Sequence, residues 1–181
     1  MTLNKESITD HYEHTLEWVQ SLVEITDEEW RRAIADGKWS IAEIIAHFVP
    51  WDEFILHDRL KEFWNNQALP QAPDVHEMNR QSAERARHEE RSETIGRFIA
   101  VRTELLQEMK KIEASRWNTS FLIGQSELTL SSYFQGLIDH DIHHMKQIKE
   151  ALSPERRKRV MKLLSQTETS HNQTKNETTK D

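Results

Sequence analysis

Apolar residues recur at spacings of three and four positions along most of this 181-residue chain, which is the period of a helix with one buried face. In the first such segment they are Ile8, Tyr12, Leu16, Val19, Leu22 and Val23. The chain has only four Gly and four Pro, against roughly 12 and 9 at average usage. Because all-β folds need many turns and phosphate-binding loops need clustered glycines, both are disfavoured. The sequence therefore predicts an all-α fold.

Four long segments carry this pattern and predict the main helices of a bundle. They cover residues 8–25, 41–64, 92–112 and 129–152. Ser40 and Glu43 form a capping box at the start of the second helix, and either Thr129 or Ser131 caps the fourth. Pro50 is expected to kink the second helix near residues 46–48, since proline removes an amide donor and clashes with the preceding turn.

Shorter segments fill the connections. A helical turn is predicted at 28–34 and a terminal helix at 153–164, while 65–74 and 115–127 are expected to be non-helical. The polar stretch 75–91 has little apolar content, so it is expected to be largely exposed even where it is helical.

We interpret residues 1–165 as one helical domain and residues 166–181 as a disordered polar tail, because the tail has no apolar residue to bury. The net charge of −7 disfavours nucleic acid as a partner, and the basic run 156–159 is interpreted as a solvated face. No apolar run is long enough to cross a membrane, and the start of the chain does not resemble a signal peptide. A cytoplasmic location is the default expectation.

Ten histidines and no cysteine make the histidine positions the main functional question. On a helical wheel, His140 and His144 fall at roughly 300° and 340°, on one face at the edge of the buried stripe. That stripe is predicted to contain Leu137, Ile138, Ile142, Met145, Ile148 and Leu152. His143 falls at roughly 240°, on the solvent side. Two histidines four positions apart on a helix have the spacing used by helical metal sites.

A zinc or nickel site needs a third ligand, and His47 on the second helix lies among apolar positions that could bring it close. Three neutral imidazoles and a water would form an open site of the catalytic kind. Asp141, at roughly 40°, lies within the apolar stripe and needs a partner. It either accepts from a ligand histidine or pairs with a buried arginine such as Arg102. Gln147 lies beside the histidine pair and is a further candidate to line the site.

The alternative interpretation is that these histidines are packed and hydrogen-bonded core residues without a metal. The remaining histidines are expected on solvated faces or in loops, with the first two a weaker second pair: His11, His14, His57, His76, His88, His143 and His171.

Three motifs in this order give the chain a resemblance to the DinB/YfiT-like superfamily of small four-helix-bundle proteins. They are the Trp-Ser helix start with its histidine at 39–48, the mid-chain helix with Arg102, and the H-x-x-x-H-x-x-Q-I helix at 140–148. The resemblance covers residues 5–152. It implies a bundle in which His47, His140 and His144 bind a divalent metal, commonly zinc or nickel.

The resemblance also implies that relatives are often dimers and that some are metal-dependent S-transferases, which join a low-molecular-weight thiol to an electrophile. We therefore predict a metal-dependent enzyme acting on a small molecule, either a thiol S-transferase or a hydrolase with a role in stress or detoxification. A chain without cysteine would take its sulfur from a cosubstrate. The alternative is a non-catalytic, dimeric helical-bundle binding module, suggested by Trp18, Trp30, Trp39 and Trp51 and by the polar stretch 75–91.

Overall fold

The computed structural model of the chain describes residues 3–64, 69–160 and 162. Its helices are α1 (Lys5–Ser21), α2 (Asp27–Arg31), α3 (Ile41–Phe54), α4 (Val75–His88), α5 (Arg91–Lys111), α6 (Leu130–Ala151) and α7 (residues 154–160). Helices α1, α3, α5 and α6 pack around one apolar core as a four-helix bundle, and α4 lies along the outside of α3. The predicted all-α bundle is confirmed.

Side-chain caps fix where the helices that carry the candidate site begin. Ser40 accepts from the Glu43 amide while the Glu43 carboxylate accepts from the Ser40 amide at 2.7 Å, so the predicted capping box opens α3. Thr129, rather than Ser131, is the cap of α6 and forms a reciprocal pair with Ser132. Such caps satisfy amides that have no partner within the first helical turn.

The second predicted helix changes geometry before its expected end. The α-helical part ends at Phe54, a π-helical stretch covers Ile55–Arg59, and a 3-10 turn covers Glu62–Trp64. Pro50 lies inside the α-helical part, which continues through it, and the bend expected there stays a prediction. Arg59, the last residue of the π-helical stretch, donates to the Tyr133 hydroxyl of α6 at 2.9 Å.

Helix α4 is mostly exposed, as its polar sequence predicts, and buries only the small side chains of Ala83 and Ala86. Two contacts hold it against α3. Trp51 Nε1 donates to Asn79 Oδ1 at 2.9 Å, and the Arg87 guanidinium pairs with Glu43 at 2.8 Å. This docking makes α4 one wall of the space beside α3.

The segment expected to be non-helical contains a small β-hairpin, which the sequence pattern did not predict. After a 3-10 turn at Ala114–Asn118, β1 (Ser120–Ile123) pairs antiparallel with β2 (Ser126–Thr129). The turn between them places Gly124 at φ +59°, a conformation that suits two-residue hairpin turns and that glycine adopts without strain.

One sequence expectation about surfaces is wrong, and a second holds for three residues of four. Ile142 was placed in the buried stripe of α6 but is 51% exposed, because it lies at the far edge of that stripe. In the basic run, Arg157, Lys158 and Arg159 are exposed as expected. Arg156 instead docks α7, since its Nε lies 3.1 Å from a Glu29 carboxylate oxygen.

No helix in the described ranges is long and apolar enough to cross a bilayer. The boundary at residue 165 and the polar tail 166–181 lie outside the described residues.

Candidate metal centre

Two helices bring three histidines to one point. His47 comes from the middle of α3, and His140 and His144 come from successive turns of α6. Each of the three offers a ring nitrogen, and these nitrogens all lie within 4.8 Å of one another. The Nε2 atoms of His47 and His140 are 3.4 Å apart. The structure thus brings the histidine pair selected by the helical spacing together with the third candidate, His47.

Hydrogen bonds on the far side of two rings orient them. His47 Nδ1 donates to the backbone carbonyl of Ile44, one turn earlier in α3. His144 Nδ1 donates to Gln147 Oε1 at 2.8 Å. Because a carbonyl or amide oxygen can only accept, the ring proton lies on Nδ1 in both histidines, and each Nε2 keeps its lone pair. Outer hydrogen bonds of this kind fix the tautomer of metal-binding histidines.

The electrostatic setting keeps the imidazoles neutral. Burial, reinforced by the neighbouring His144 and His140, lowers the pKa of His47 to about 3, and this side chain is only 1% exposed. Burial and the His140 ring lower the pKa of His144 to about 4. His140 is the most exposed of the three, and burial of part of its ring still lowers its pKa. Neutral imidazole is the form that binds metal.

The donor set and its spacing fit a divalent transition metal. Two nitrogens bound to one tetrahedral zinc at about 2.0–2.1 Å lie about 3.3 Å apart, which is close to the 3.4 Å between His47 and His140. Three imidazoles supply nitrogen ligands suited to zinc or nickel and leave further coordination positions open.

His143 is not part of the cluster. It is exposed, as the helical wheel predicts, although its ring centre lies 5.2 Å from that of His144. It therefore provides a matched control for the three clustered histidines.

A buried ion network lies next to the histidines. Arg102 on α5 donates from Nε to Asp52 Oδ2 and from an Nη atom to Asp141 Oδ2, both at 2.6 Å. All three side chains are 2–4% exposed. Of the two arrangements proposed for Asp141, the structure has the pairing with Arg102, because the histidine nearest its carboxylate is His11 at 3.4 Å rather than a clustered one.

The network sets the charges of its members. The pKa of Asp52 is raised to about 6, since burial outweighs the attraction of Arg102. Burial also acts to raise the pKa of Asp141, but Arg102 and the hydrogen bond from His11 outweigh it. The pKa of Asp141 is therefore lowered. Burial raises the pKa of Tyr12 well above its usual value, and its ring lies under the Arg102 guanidinium at 4.5 Å.

Asp52 and His11 are the members of this region that the sequence reasoning missed. The sequence could have identified Asp52 as a buried residue, because it continues the apolar face of α3 at spacings of three and four after Ile45 and Phe48. That is the criterion that singled out Asp141. His11 had no such signal; its role depends on how α1 packs against α6.

A cavity of about 290 Å³ opens beside the cluster and the ion network. Its lining residues are Tyr12, Phe48, Trp51, Asp52, Ile55, Val75, Asn79, Arg102, Leu137, His140 and Asp141. His140 is the clustered histidine that lines this cavity, so the cavity adjoins the candidate metal centre.

A four-helix bundle with three converging histidines defines a class of candidate metalloproteins, and comparison with known proteins gives the family. The chain matches the DinB superfamily over residues 7–148 and belongs to it. No curated protein matches the chain.

Among solved structures, the fold is similar to that of YfiT from Bacillus subtilis, which is described as a probable metal-dependent hydrolase with an unusual four-helix bundle topology. The TM-score is 0.68 at 13% sequence identity, and the match covers 81% of this chain and 85% of YfiT. At this identity the likeness establishes the fold.

Proposed function

We propose that this protein is a metal-dependent enzyme in which His47, His140 and His144 hold a divalent ion. A nucleophile at that ion, either water or a low-molecular-weight thiol, would attack a small electrophile bound in the adjacent cavity. The observation that carries the proposal is the convergence of three neutral imidazoles beside a cavity whose wall includes one of them, His140. The description of YfiT as a probable metal-dependent hydrolase supports it.

The chain's own residues hold and orient the site. Ile44 and Gln147 fix two of the rings with Nε2 directed away from their hydrogen-bonded side. Apolar side chains such as Phe48 and Leu137 line the cavity and exclude water from part of it. A divalent ion bound by imidazoles lowers the pKa of a coordinated water or thiol and so supplies a nucleophile near neutral pH.

Both reactions replace one bond at the electrophilic carbon. In hydrolysis a carbon–oxygen bond to water forms as the leaving group departs with a proton. In S-transfer a carbon–sulfur bond forms instead, and the thiol comes from a cosubstrate because this chain has no cysteine. Zinc and nickel both suit three imidazole ligands.

The first test is metal content. Purified wild-type protein and the His140→Ala/His144→Ala variant are analysed by inductively coupled plasma mass spectrometry, with His143→Ala as the control that removes a neighbouring exposed histidine. We expect close to one divalent ion per chain in the wild type and in the control, and near-zero metal in the double variant. Equal metal content in all three proteins would remove the basis of the proposal.

The second test separates water from thiol as the nucleophile. Metal-loaded protein is given a chromogenic electrophile with and without a panel of cellular thiols, and products are separated by mass. A thioether product that depends on the histidine cluster assigns S-transfer, whereas a hydrolysed product without thiol assigns hydrolysis. If the fully metal-loaded protein turned over the electrophile neither with nor without the thiols, an enzymatic role would be contradicted.

The alternative of a non-catalytic binding module was suggested by four tryptophans and by the polar stretch 75–91. Trp18 and Trp30 are fully buried in the core and cannot meet a partner. Trp39 packs on His47 with ring centres 5.1 Å apart, and Trp51 lines the cavity. These positions favour a small-molecule site over a tryptophan-rich partner surface. A homodimeric state and a cytoplasmic location stay predictions.

A further inference from the structure

The cavity beside His140 has a predominantly apolar wall of a size that suits one ring. Phe48, Trp51, Ile55, Val75 and Leu137 provide this wall. A cavity of about 150 Å³ lined by aliphatic and aromatic groups already holds benzene, so about 290 Å³ accommodates a ring with a substituent. Val75 is 49% exposed and Leu137 is half-buried, which places both at the rim.

The arginine in the cavity wall is already paired with two carboxylates. Arg102 directs Nε at Asp52 and both terminal nitrogens at Asp141. Its guanidinium also lies over the rings of Tyr12 and Phe98, at 4.5 and 5.0 Å from their centres. An anionic ligand would have to share this guanidinium with two buried carboxylates, which already take three of its five N–H donors.

Asp52 leaves one acceptor free in the same wall. Arg102 reaches only its Oδ2 atom, and within the described part of the chain no hydrogen bond to Oδ1 is formed. The side chain is 3% exposed and lines the cavity. A carboxylate oxygen that lines the cavity and has no donor from the described chain can accept a hydrogen bond from a ligand there.

The charges of the wall also favour a cationic ligand over an anionic one. Two carboxylates, Asp52 and Asp141, lie against one guanidinium, that of Arg102, which leaves one negative charge in excess among them. Tyr12 and Asn79 add uncharged polar groups, and Asn79 Oδ1 is occupied by Trp51.

We infer that, in the protein without a bound metal, this cavity binds a small apolar or aromatic molecule carrying a cationic hydrogen-bond donor, which pairs with Asp52 Oδ1, and that it discriminates against anions. The rest of the ligand lies along the apolar wall and reaches His140. That the ligand is a substrate rests on the proposed function; the preference for its charge does not.

Three near-isosteric probes test the preference: benzamidine as the cationic donor, benzamide as the neutral analogue and benzoate as the anion. Binding is measured by isothermal titration calorimetry at pH 8, where Asp52, with a pKa of about 6, is ionised. The measurement is made in the wild type and in His144→Ala, which lacks a metal ligand but keeps the cavity wall because His144 does not line it. The order in His144→Ala is decisive, since benzoate cannot gain from a bound metal there.

We expect benzamidine to bind His144→Ala about tenfold or more tighter than benzoate, the factor typical of a hydrogen bond to a charged group, with benzamide between them. Benzoate binding as tightly as benzamidine, or no binding of any probe, would overturn the inference. Asp52→Asn in the same background should abolish the preference, whereas Asp139→Asn, which removes an exposed carboxylate from α6, should leave it intact.

If Asp52→Asn does not fold, a second variant shows whether the probes bind in this cavity. Leu137→Trp fills the rim of the cavity and should weaken binding of benzamidine at least tenfold, an effect large enough to exceed ordinary variation between surface variants. Unchanged affinity in Leu137→Trp would place the probe elsewhere and overturn the inference. Probe preference without metal binding would contradict the proposed function alone, and turnover without probe preference would contradict this inference alone.

Discussion

Arg102 compensates two buried carboxylates at once, so its removal leaves both without their cation. Asp52 and Asp141 are each about 3% exposed and neither gains another cationic lysine or arginine partner among the described ion pairs. Burying an unpaired charge is far more costly than losing a surface contact. The stability of the bundle should therefore depend on this one side chain more than on any exposed arginine.

We predict that Arg102→Ala lowers the free energy of unfolding by about 3–5 kcal/mol, the range for breaking a buried ion pair. Arg97→Ala, on the same helix, is the matched control. Arg97 pairs with Glu89 and keeps 26% of its side chain exposed, so solvent screens this pair and its loss should cost less than the loss of the fully buried Arg102. Urea unfolding followed by circular dichroism gives both values. Equal costs for the two variants would show that the buried network does not stabilise the fold.

Gln147 is a positioning residue for the candidate metal centre, because its side chain accepts a hydrogen bond from His144 and so orients that ring. Among the described hydrogen bonds it makes none to His47 or His140. We predict that Gln147→Ala weakens metal binding by about 10–100-fold, as loss of an outer hydrogen bond does in other histidine sites. Competition with a chromogenic chelator measures the affinity.

The control for this variant is Gln135→Ala, on the same helix, whose amide bonds to Asp139 away from the cluster. It should leave metal affinity unchanged. A similar loss in both variants would indicate a general effect on α6 rather than orientation of His144.

At this scale the sequence indicates which residues belong to the site better than it indicates their partners. The i,i+4 spacing places His140 and His144 on one face of α6, and the wheel places Asp141 in the apolar stripe. Both follow from helix geometry alone. The contact of His11 with Asp141 links residues 130 positions apart in the chain, which no local pattern encodes.

At the scale of elements, long amphipathic helices were predictable because each repeats one pattern over many turns. The hairpin of β1 and β2 was not, since each strand has only four residues and the burial of β2 does not alternate. The π-helical stretch Ile55–Arg59 was missed for a related reason: it keeps the composition of a helix and changes only its hydrogen-bond spacing.

Replacing glycine by alanine should have opposite effects on stability in a helix and in a hairpin turn, and this chain has one suitable glycine in each. Gly136 lies exposed within α6 and Gly124 in the hairpin turn, and an added Cβ meets no atom within 4 Å at either position. We predict that Gly136→Ala stabilises the protein by about 0.5–1 kcal/mol through helix propensity. Gly124→Ala should destabilise it by about 1 kcal/mol, because φ is +59° there. Chemical denaturation of both variants measures the pair, and a change of the same sign would contradict the argument.

At the scale of the whole molecule, the histidine cluster depends on how α3 and α6 are held together. His47 and His140 are 93 positions apart, and core side chains such as Phe48 and Phe98, with ring centres 5.9 Å apart, set the spacing of the bundle. Helical patterns give the faces of such helices but not their separation. The cavity beside the cluster also depends on α4, whose polar sequence gave no sign that it docks on α3 through Trp51.

Burying three imidazoles makes the stability of the metal-free molecule depend on pH, and the sign can be worked out. The pKa values of His47 and His144 in the folded protein are about 3 and about 4, below the value near 6.5 of an unfolded chain. Between these limits the unfolded chain binds more protons than the folded one. The stability contributed by the neutral rings is therefore fully present above about pH 6.5 and is lost as the pH falls through the folded pKa values.

We predict that unfolding of metal-free protein at pH 5 takes up about two protons through His47 and His144. Urea unfolding in the presence of a chelator at pH 7, 6 and 5 measures this as a decrease in the free energy of unfolding. His144→Gln should lose about one proton of this dependence, whereas His143→Gln should keep it, because His143 is exposed. Asp52, whose raised pKa of about 6 acts in the opposite direction, is present in all three proteins and cancels in the comparison. An identical pH dependence in the wild type and His144→Gln would mean that His144 titrates normally, as it would if the three rings were apart in solution.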